Sequence, residues 1–314
     1  MSARPVAWVL NLDAENELET EGSYTPSRHM QAIVQRESRR LLHTLVAPGD
    51  VVLSGEENRD AGAHGLPGLC WSPTRSAIAQ LERAGVQPVA TPDVGILREV
   101  NARPFAARVR ATLADNDAFA KQLATSLEQA LELLSVTADH ASEGWLVRRS
   151  FGASGRGRRH IAAGSPTAAE LSWLEKSLRT GPLILEPWVD ITREFTRSGW
   201  VGHTGHVHAA APCFQATTRE GAWAKTAAAD ADGLSQAEDR ELEAAFFAAG
   251  KALGEHGYHG PFGIDSFRYR TAGPGTPEVL NALSEINARF TMDWTTGMGQ
   301  DPGATLASAR EALL

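Results

Sequence analysis

The chain has 314 residues with the composition of an ordinary globular protein, 42% hydrophobic and 22% charged. Its formal net charge of −8 argues against a nucleic-acid-binding surface, because phosphate backbones require clustered Lys and Arg. No apolar run of about 18 residues occurs, and the first residues turn acidic too soon for a signal peptide. Cys70 and Cys213 show no metal or redox spacing. We expect a cytoplasmic protein of two or three lobes with no membrane or nucleic-acid partner.

The first hundred residues alternate between strand and helix signals. Strands are predicted at residues 6–10 and 51–53, and helices at residues 28–45 and 74–84, the second of them closed by Gly85. This alternation predicts a small parallel α/β domain covering residues 1–98. Asn11, Asp13 and Glu15 follow the first strand, at the edge where open α/β sheets place ligands. A plain polar loop is the alternative for these three residues.

Residues 100–134 are predicted to be mostly helical, and a strand is predicted at residues 145–149. A glycine-rich loop follows this strand. Gly152, Gly155 and Gly157 let the backbone turn sharply and bring N–H groups close to a phosphate without a Cβ in the way. Their spacing matches neither the P-loop nor the dinucleotide-binding fingerprint. The alternative is a hairpin whose glycines serve only the turn.

Three further segments precede the end of the chain. A helix with a Thr167–Glu170 capping box leads to an apolar strand ending in Glu-Pro-Trp-Val at residues 186–189. Residues 198–212 read as a hairpin with three histidines, and without a nearby acid these favour structural or substrate-facing roles over a metal site. Residues 215–235 predict a mobile loop before a helix capped by Ser235 and Glu238. The three histidines are His203, His206 and His208.

The strongest signal lies in two predicted strands at residues 260–269 and 279–289. An apolar-rich strand pair can bring Asp265 and Glu285 to one sheet edge, and Asn287 and Arg289 share the face of Glu285 at alternate positions. These oxygen donors suit Mg²⁺ held jointly by protein carboxylates and substrate phosphates. For the acids, the alternative is a pair of surface strands with solvated carboxylates. For Arg289, the alternative is a salt bridge to Asp293 or Glu285 that only orders the end of the strand.

The Asp…Glu-x-Asn arrangement resembles the magnesium site of the ATP-grasp superfamily, including D-alanine:D-alanine ligases, and the longer Glu-x-Asn-x-Arg form is similar to biotin carboxylases. Five motifs follow the superfamily order over residues 100–290: an entry cation, the glycine loop, a hinge, a loop Lys and the acids. The resemblance implies an α/β protein with a three-lobe ATP-grasp fold. Its lobes would be an N-terminal parallel α/β domain (1–98), a central lobe with the glycine loop (99–190) and a C-terminal lobe with the metal site (191–314).

The resemblance also assigns roles to individual residues. Asp265, Glu285 and Asn287 would hold two Mg²⁺ ions. Arg103 and Arg148 stand where the family has Lys, which keeps the charge but replaces a point cation with a planar fork. The residues implied in catalysis are Arg148, Lys225 and Arg289. The residues implied in ATP binding are Arg103, Arg148, Gly152, Ser154, Gly155, Gly157, Glu186, Trp188, Val189, Glu194 and Lys225.

The implied activity is that of an ATP-dependent ligase, which activates a small carboxylic acid, amino acids included, as an acyl phosphate and joins it to an amine. Two alternatives stay open. One is an ATP-grasp kinase that phosphorylates a small molecule and stops. The other is a nucleotide-binding protein with a degenerate site, which the two Lys-to-Arg departures favour. Dimers are frequent in the resembling families, so the resemblance leaves a homodimer open, and the sequence itself does not decide the oligomeric state.

Overall fold

The computed structural model describes residues 4–20, 24–55, 60–113, 122–135, 141, 143–152, 156–218, 223–230, 232–270 and 277–297. Within these ranges three β-sheets carry helices against their faces. The strands are β1 (Ala7–Val9), β2 (Val51–Val52), β3 (Pro67–Cys70), β4 (Gln87–Pro88), β5 (Leu123–Ala124), β6 (Trp145–Arg149), β7 (Arg158–Ile161), β8 (Leu183–Pro187), β9 (Asp190–Val201), β10 (Val207–Ala209), β11 (Cys213–Thr217), β12 (Trp223–Ala228), β13 (Gly260–Arg270) and β14 (Glu278–Asn287). The α-helices are α1 (Ala14–Glu19), α2 (Arg28–Leu41), α3 (Arg75–Arg83), α4 (Val94–Asn101), α5 (Arg103–Arg110), α6 (Leu127–Ser135), α7 (Ala168–Leu178), α8 (Gln236–Glu255) and α9 (Trp294–Gly297).

The N-terminal sheet is parallel, in the order β2-β1-β3-β4, as the alternating pattern predicts. Strand β1 is apolar without alternation because both of its faces are buried. Val9 packs with Leu81 of α3 on one face, and Trp8 packs with Leu41 of α2 on the other. Helix α2 ends before the predicted residue 45, and α3 ends just before Gly85, whose φ of +67° suits glycine.

The central sheet is antiparallel, in the order β5-β8-β6-β7, and it packs against α6 and α7. Val147 and Leu185 from adjacent strands meet Leu174 of α7 in this core. The capping box of α7 is present as predicted, with the Thr167 hydroxyl accepting from the Glu170 amide. Strand β6 therefore has one buried face, and its other face points toward the C-terminal sheet, where Arg148 meets Glu285.

The C-terminal sheet is antiparallel, in the order β12-β11-β9-β13-β14, with β10 beside β9. In the β13–β14 register Asp265 lies opposite Glu285, which confirms the predicted strand pair. Helix α5 follows the predicted lobe boundary at residue 98 and packs on this sheet. Phe105 and Val109 of α5 share a core with Leu283 of β14. Through this contact α5 is held directly beneath the strand that carries Glu285.

Two segments differ from the predicted elements. Residues 100–134 are less helical than predicted: α4 and α5 are separated by Ala102, whose backbone is extended, and β5 pairs with β8 before α6 begins. Residues 215–235 were predicted as a loop, but β11 and β12 pair as an antiparallel hairpin against β9. Small residues have weak strand propensity, and here pairing with a neighbouring sheet outweighs it. No helix among the described ranges is long and apolar enough to span a membrane.

Candidate active site

A cleft with a volume of about 1090 Å³ lies where the three sheets meet. Each sheet provides part of its lining: Trp71 follows β3, Leu146 and Glu186 lie on the central sheet, and Phe195 and Phe267 lie on the C-terminal sheet. The cleft combines apolar walls with convergent charged groups, which is the usual character of a small-molecule site.

The oxygen donors predicted to hold magnesium lie together at one edge of this cleft. Asp265 and Glu285 are opposed across β13 and β14, and the Asn287 side-chain amide donates to Asp265 at 3.0 Å. Burial, together with the charges of Glu285 and Asp293, raises the pKa of Asp265 to about 7. A carboxyl group in this position gains from a cation, so an all-oxygen edge with an uncompensated acid fits a hard divalent ion.

Three arginines form a buried network with two of the acids. Arg148 contacts Glu285 at 2.5 Å and Glu186 at 3.3 Å, so it joins the central sheet to the C-terminal sheet. Arg103 contacts the other oxygen of Glu285 at 3.0 Å, and Arg110 contacts Glu186 at 3.3 Å. Burial alone would raise the pKa of Glu285, but the charges of Arg103 and Arg148 outweigh it and lower that pKa to about 2. Glu285 is therefore ionised, and the two guanidinium groups of Arg103 and Arg148 balance its negative charge.

Arg103 also fixes the base of the glycine loop. Its guanidinium donates to the carbonyl oxygens of Arg149 at 2.9 Å and Gly152 at 2.6 Å. Gly152 has a φ of +151°, and a Cβ there would lie 2.3 Å from the Arg156 carbonyl oxygen, so only glycine fits. The loop residues Ser154 and Gly155 lie outside the described residues. Gly157, with a φ of +69°, closes the turn into β7.

The hinge of the motif order corresponds to residues 186–189, which also line the cleft. Trp188 is 39% exposed, and its ring lies 4.3 Å from the ring of His160. Its backbone amide donates to the Gly144 carbonyl at 2.9 Å and is thereby engaged. Val189 lines the cleft beside it. Glu194 faces the cleft from β9, and one of its oxygens accepts from the Thr217 amide at 3.1 Å and the Thr217 hydroxyl at 2.8 Å.

Arg289 connects the sheet edge that carries Asp265, Glu285 and Asn287 to the N-terminal lobe. Its guanidinium donates to Glu15 of α1 at 2.5 Å and to the Asn287 amide oxygen at 2.8 Å, and it lies 5.9 Å from the centre of the Trp71 ring. Neither Asp293 nor Glu285, the alternative partners predicted for Arg289, forms a hydrogen bond with it. Asp13 accepts a hydrogen bond from the Tyr24 hydroxyl at 2.9 Å.

Lys225 and the three histidines lie away from these groups. Lys225 is exposed on β12, and the described cleft lining does not include it. The His203 ring lies 4.2 Å from that of His259, and the His208 ring stacks on Trp200 at 4.5 Å. Within the described ranges no group of three His, Cys, Asp or Glu residues could hold a metal ion. The Asp265, Glu285 and Asn287 set has only two such residues, since its third donor is an amide.

Sequence reasoning missed two of the buried contacts in the cleft. Arg110 is 2% exposed and pairs with Glu186, and Thr226 donates to Asp293 between β12 and the turn before α9. Arg110 lies seven residues after Arg103, so both fall on one face of α5. Two arginines at that spacing on an otherwise apolar helix face are the signal that could have indicated buried ion pairs.

The sequence matches no protein-family model and no curated protein sequence, whereas solved structures match over nearly the whole chain. The D-alanyl-alanine synthetase A from Vibrio cholerae has a TM-score of 0.57 at 12% identity, with 100% of this chain and 99% of that chain covered. The biotin carboxylase domain of the Hydrogenobacter thermophilus 2-oxoglutarate carboxylase, a dimer solved with MgADP and bicarbonate, has a TM-score of 0.56 at 14% identity. The match covers 99% of this chain and 70% of that chain. The N5-carboxyaminoimidazole ribonucleotide synthetase from Thermus thermophilus has a TM-score of 0.54 at 17% identity, covering 98% and 78%.

The three sheets, their order along the chain and the cleft between them define an α/β protein built from three lobes. The similar structures are ATP-grasp enzymes, and this chain has the ATP-grasp fold. At identities of 12 to 17% the likeness establishes the fold, which confirms the fold predicted from the motif order.

Proposed function

We propose that the protein is an ATP-dependent, ADP-forming ligase that joins a small carboxylic acid to an amine. The observation that supports this most is the convergence of the Trp188–Val189 hinge, the Arg148 network and the all-oxygen edge in one cleft. A hinge backbone with apolar walls suits adenine, and cations beside oxygen donors suit transferring phosphates.

In the proposed reaction a carboxylate oxygen attacks the γ-phosphorus of ATP, the bond to the bridging oxygen breaks, and ADP leaves. The amine nitrogen, after losing its ammonium proton to water, attacks the acyl carbon. Phosphate then leaves, and the nitrogen releases its second proton as the amide forms. Arg148 would stabilise phosphate charge, and Arg289 would hold the carboxylate with its planar fork. A role for Lys225 requires β12 to move, because its side chain lies outside the cleft.

Magnesium ions, when bound, would neutralise charge on the β- and γ-phosphates, and Asp265, Glu285 and Asn287 are the residues that would hold them. Two such ions remain a prediction. The part played by this chain is to keep the acids at one edge and to exclude water from the acyl phosphate, which otherwise hydrolyses.

A second candidate function is nucleotide binding without turnover. The observation that favours it is the double ion pair on Glu285, in which Arg103 and Arg148 each occupy one carboxylate oxygen. Phosphates would have to draw both guanidiniums away before Glu285 could meet a metal ion. The Lys that the family has at these two positions is a point cation, whereas each guanidinium here is a planar fork that can hold a carboxylate and a second partner at once.

Substrate-dependent ADP formation, screened over amino acids and small carboxylic acids with an amine pool, tests the proposal. ADP together with an amide supports the ligase. ADP with a phosphorylated product and no amide indicates a kinase, and a rise in Tm with MgATP but no ADP indicates the binding protein. An unchanged Tm at MgATP concentrations that should shift it by linkage excludes all three.

A further inference from the structure

One buried acid in the cleft has no part in the proposed phosphate chemistry. Asp293 is 4% exposed and lines the cleft just after β14. One of its oxygens accepts a hydrogen bond from the hydroxyl of Thr226 on β12. No cationic side chain in the described part of the chain forms an ion pair with it. Burying an unpaired carboxylate costs stability, so a cationic partner from outside the chain would be favoured there.

Two side chains with apolar surface, those of Trp223 and Met292, line the cleft next to this acid. The Trp223 indole donates to the Thr226 hydroxyl at 2.8 Å, which places the ring beside Asp293. Met292 precedes Asp293 and is half-buried at the cleft surface. The space next to Asp293 is therefore bounded by apolar surface, and an apolar group placed there would leave water.

Helix α2 of the N-terminal lobe contributes a further wall of the same cleft. The Arg40 guanidinium of α2 lies 5.5 Å from the centre of the Trp223 ring. Ile33 and Arg40 are spaced at i and i+7, so Ile33 lies on the same face of α2, two turns before Arg40, and it also lines the cleft. Arg40 is paired with Glu37 at 2.9 Å, so its charge is already offset.

Asp293 and Asp265 line the same cleft. The charge of Asp293 is one of the causes that raise the pKa of Asp265, after burial and the charge of Glu285. A ligand held by Asp293 would thus sit beside the place where the acyl phosphate forms, as the second substrate of a ligase must.

We propose that Asp293 binds the cationic group of the amine substrate and that Trp223, Met292 and Ile33 contact an apolar body attached to it. This inference rests on the proposed ligase function and names its acceptor class: a primary amine with a large apolar substituent. The amine binds as the ammonium ion and loses its proton to water before it attacks.

Binding probes test the subsite without any chemistry. Titration calorimetry of the MgADP-loaded protein would compare 2-phenylethylamine with 2-phenylethanol, which lacks the charge, and with methylamine, which lacks the body. We expect 2-phenylethylamine to bind at least about tenfold more tightly than either. Asp293→Asn should remove the preference for the amine over the alcohol, and Asp232→Asn, at an exposed acid outside the cleft lining, should not.

A second variant keeps the test valid if Asp293→Asn does not fold. Ile33→Ala retains helix propensity. It should weaken the binding of 2-phenylethylamine and leave the binding of methylamine unchanged. Equal affinities for the three probes in the parent protein would overturn the inference. The inference would also be overturned if the Asp293→Asn protein no longer bound Mn²⁺ in the presence of ATP but kept the probe affinities of the parent. Asp293 would then be a metal ligand.

Hydroxylamine separates failure of the subsite from failure of the ligase. This small amine is uncharged at neutral pH and captures an acyl phosphate as a hydroxamate, releasing phosphate, with no need of Asp293. If some acid yields a hydroxamate but the protein binds the three probes equally well, the subsite alone would be refuted. Probe selectivity with no hydroxamate from any acid would refute the ligase function and leave a cation-binding subsite in place.

Discussion

Arg148 and Glu285 form an ion pair between two β-sheets, with 2.5 Å between the guanidinium nitrogen and the carboxylate oxygen. Arg148 lies on β6 of the central sheet, and Glu285 lies on β14 of the C-terminal sheet. The same guanidinium contacts Glu186 at the start of the hinge. One side chain therefore links Glu186, the central sheet and Glu285 on the C-terminal sheet, so a ligand that moves Arg148 acts on all three.

Arg148→Ala should raise the KM for ATP, because the cation proposed to stabilise the phosphates is lost. It should also lower the free energy of unfolding by about 3 kcal/mol, since Glu186 and Glu285 each lose a buried partner. Steady-state kinetics and denaturant titration measure the two effects. Arg149→Ala is the matched control, because Arg149 is on the same strand but pairs with Glu19 outside the cleft. Equal KM values for ATP in the parent and in Arg148→Ala would show that Arg148 does not contact the phosphates.

Glu285→Gln should abolish turnover and metal-dependent nucleotide binding, since the amide keeps the shape but loses the charge that a divalent ion needs. The loss is measured as bound Mn²⁺ by electron paramagnetic resonance in the presence of ATP. Glu278→Gln serves as the control, because Glu278 is on the same strand and pairs with Arg270 at the surface. Full Mn²⁺ binding by the Glu285→Gln protein would remove Glu285 from the metal site.

Arg289→Lys should slow turnover of the acid substrate by roughly 30-fold or more, corresponding to about 2 to 4 kcal/mol in the transition state. The charge remains, but the fork that can grip a carboxylate is lost. ATP binding should be unchanged, as judged by the shift in Tm with MgATP. Glu15→Gln tests the alternative that Arg289 only orders the strand end through Glu15, with which it pairs at 2.5 Å. Unchanged turnover in Arg289→Lys would place the carboxylate on the N-terminal lobe.

In the metal-free protein, Asp265 should make the free energy of unfolding depend on pH. Its pKa is raised from 3.8 to about 7, chiefly by burial, so between these values the folded state keeps a proton that the unfolded chain has lost. The contribution of Asp265 to stability is present below this window and decreases as pH rises through it. Asp265→Asn should therefore gain stability relative to the parent as pH rises from about 4 to 7 and show a constant difference above 7. Denaturant midpoints measured in EDTA across this range would reveal it, and parallel profiles for the two proteins would contradict it.

Local sequence patterns anticipate the parts of the site that depend on neighbouring residues. The opposed Asp265 and Glu285 follow from strand periodicity and a short connection, and the Thr167 cap follows from residue spacing. The ion pairs do not, because their partners lie far apart in sequence: Arg148 is 137 residues from Glu285. Such partners are set by how sheets pack on one another, which no local period encodes. The β11–β12 hairpin was missed for the same reason, since pairing with β9 outweighs the low strand propensity of its small residues.

The contact between Glu15 and Arg289 joins residues that are 274 positions apart. A ribosome makes the chain from its amino terminus, so α1 emerges early and must wait for β14 and the turn after it before Glu15 finds its partner. The N-terminal sheet packs on Phe290 and Trp294 from that same late segment. Nascent chains stopped before residue 289 would thus lack both the lobe contact and the carboxylate site, and refolding should be slowed by this closure across almost the whole sequence.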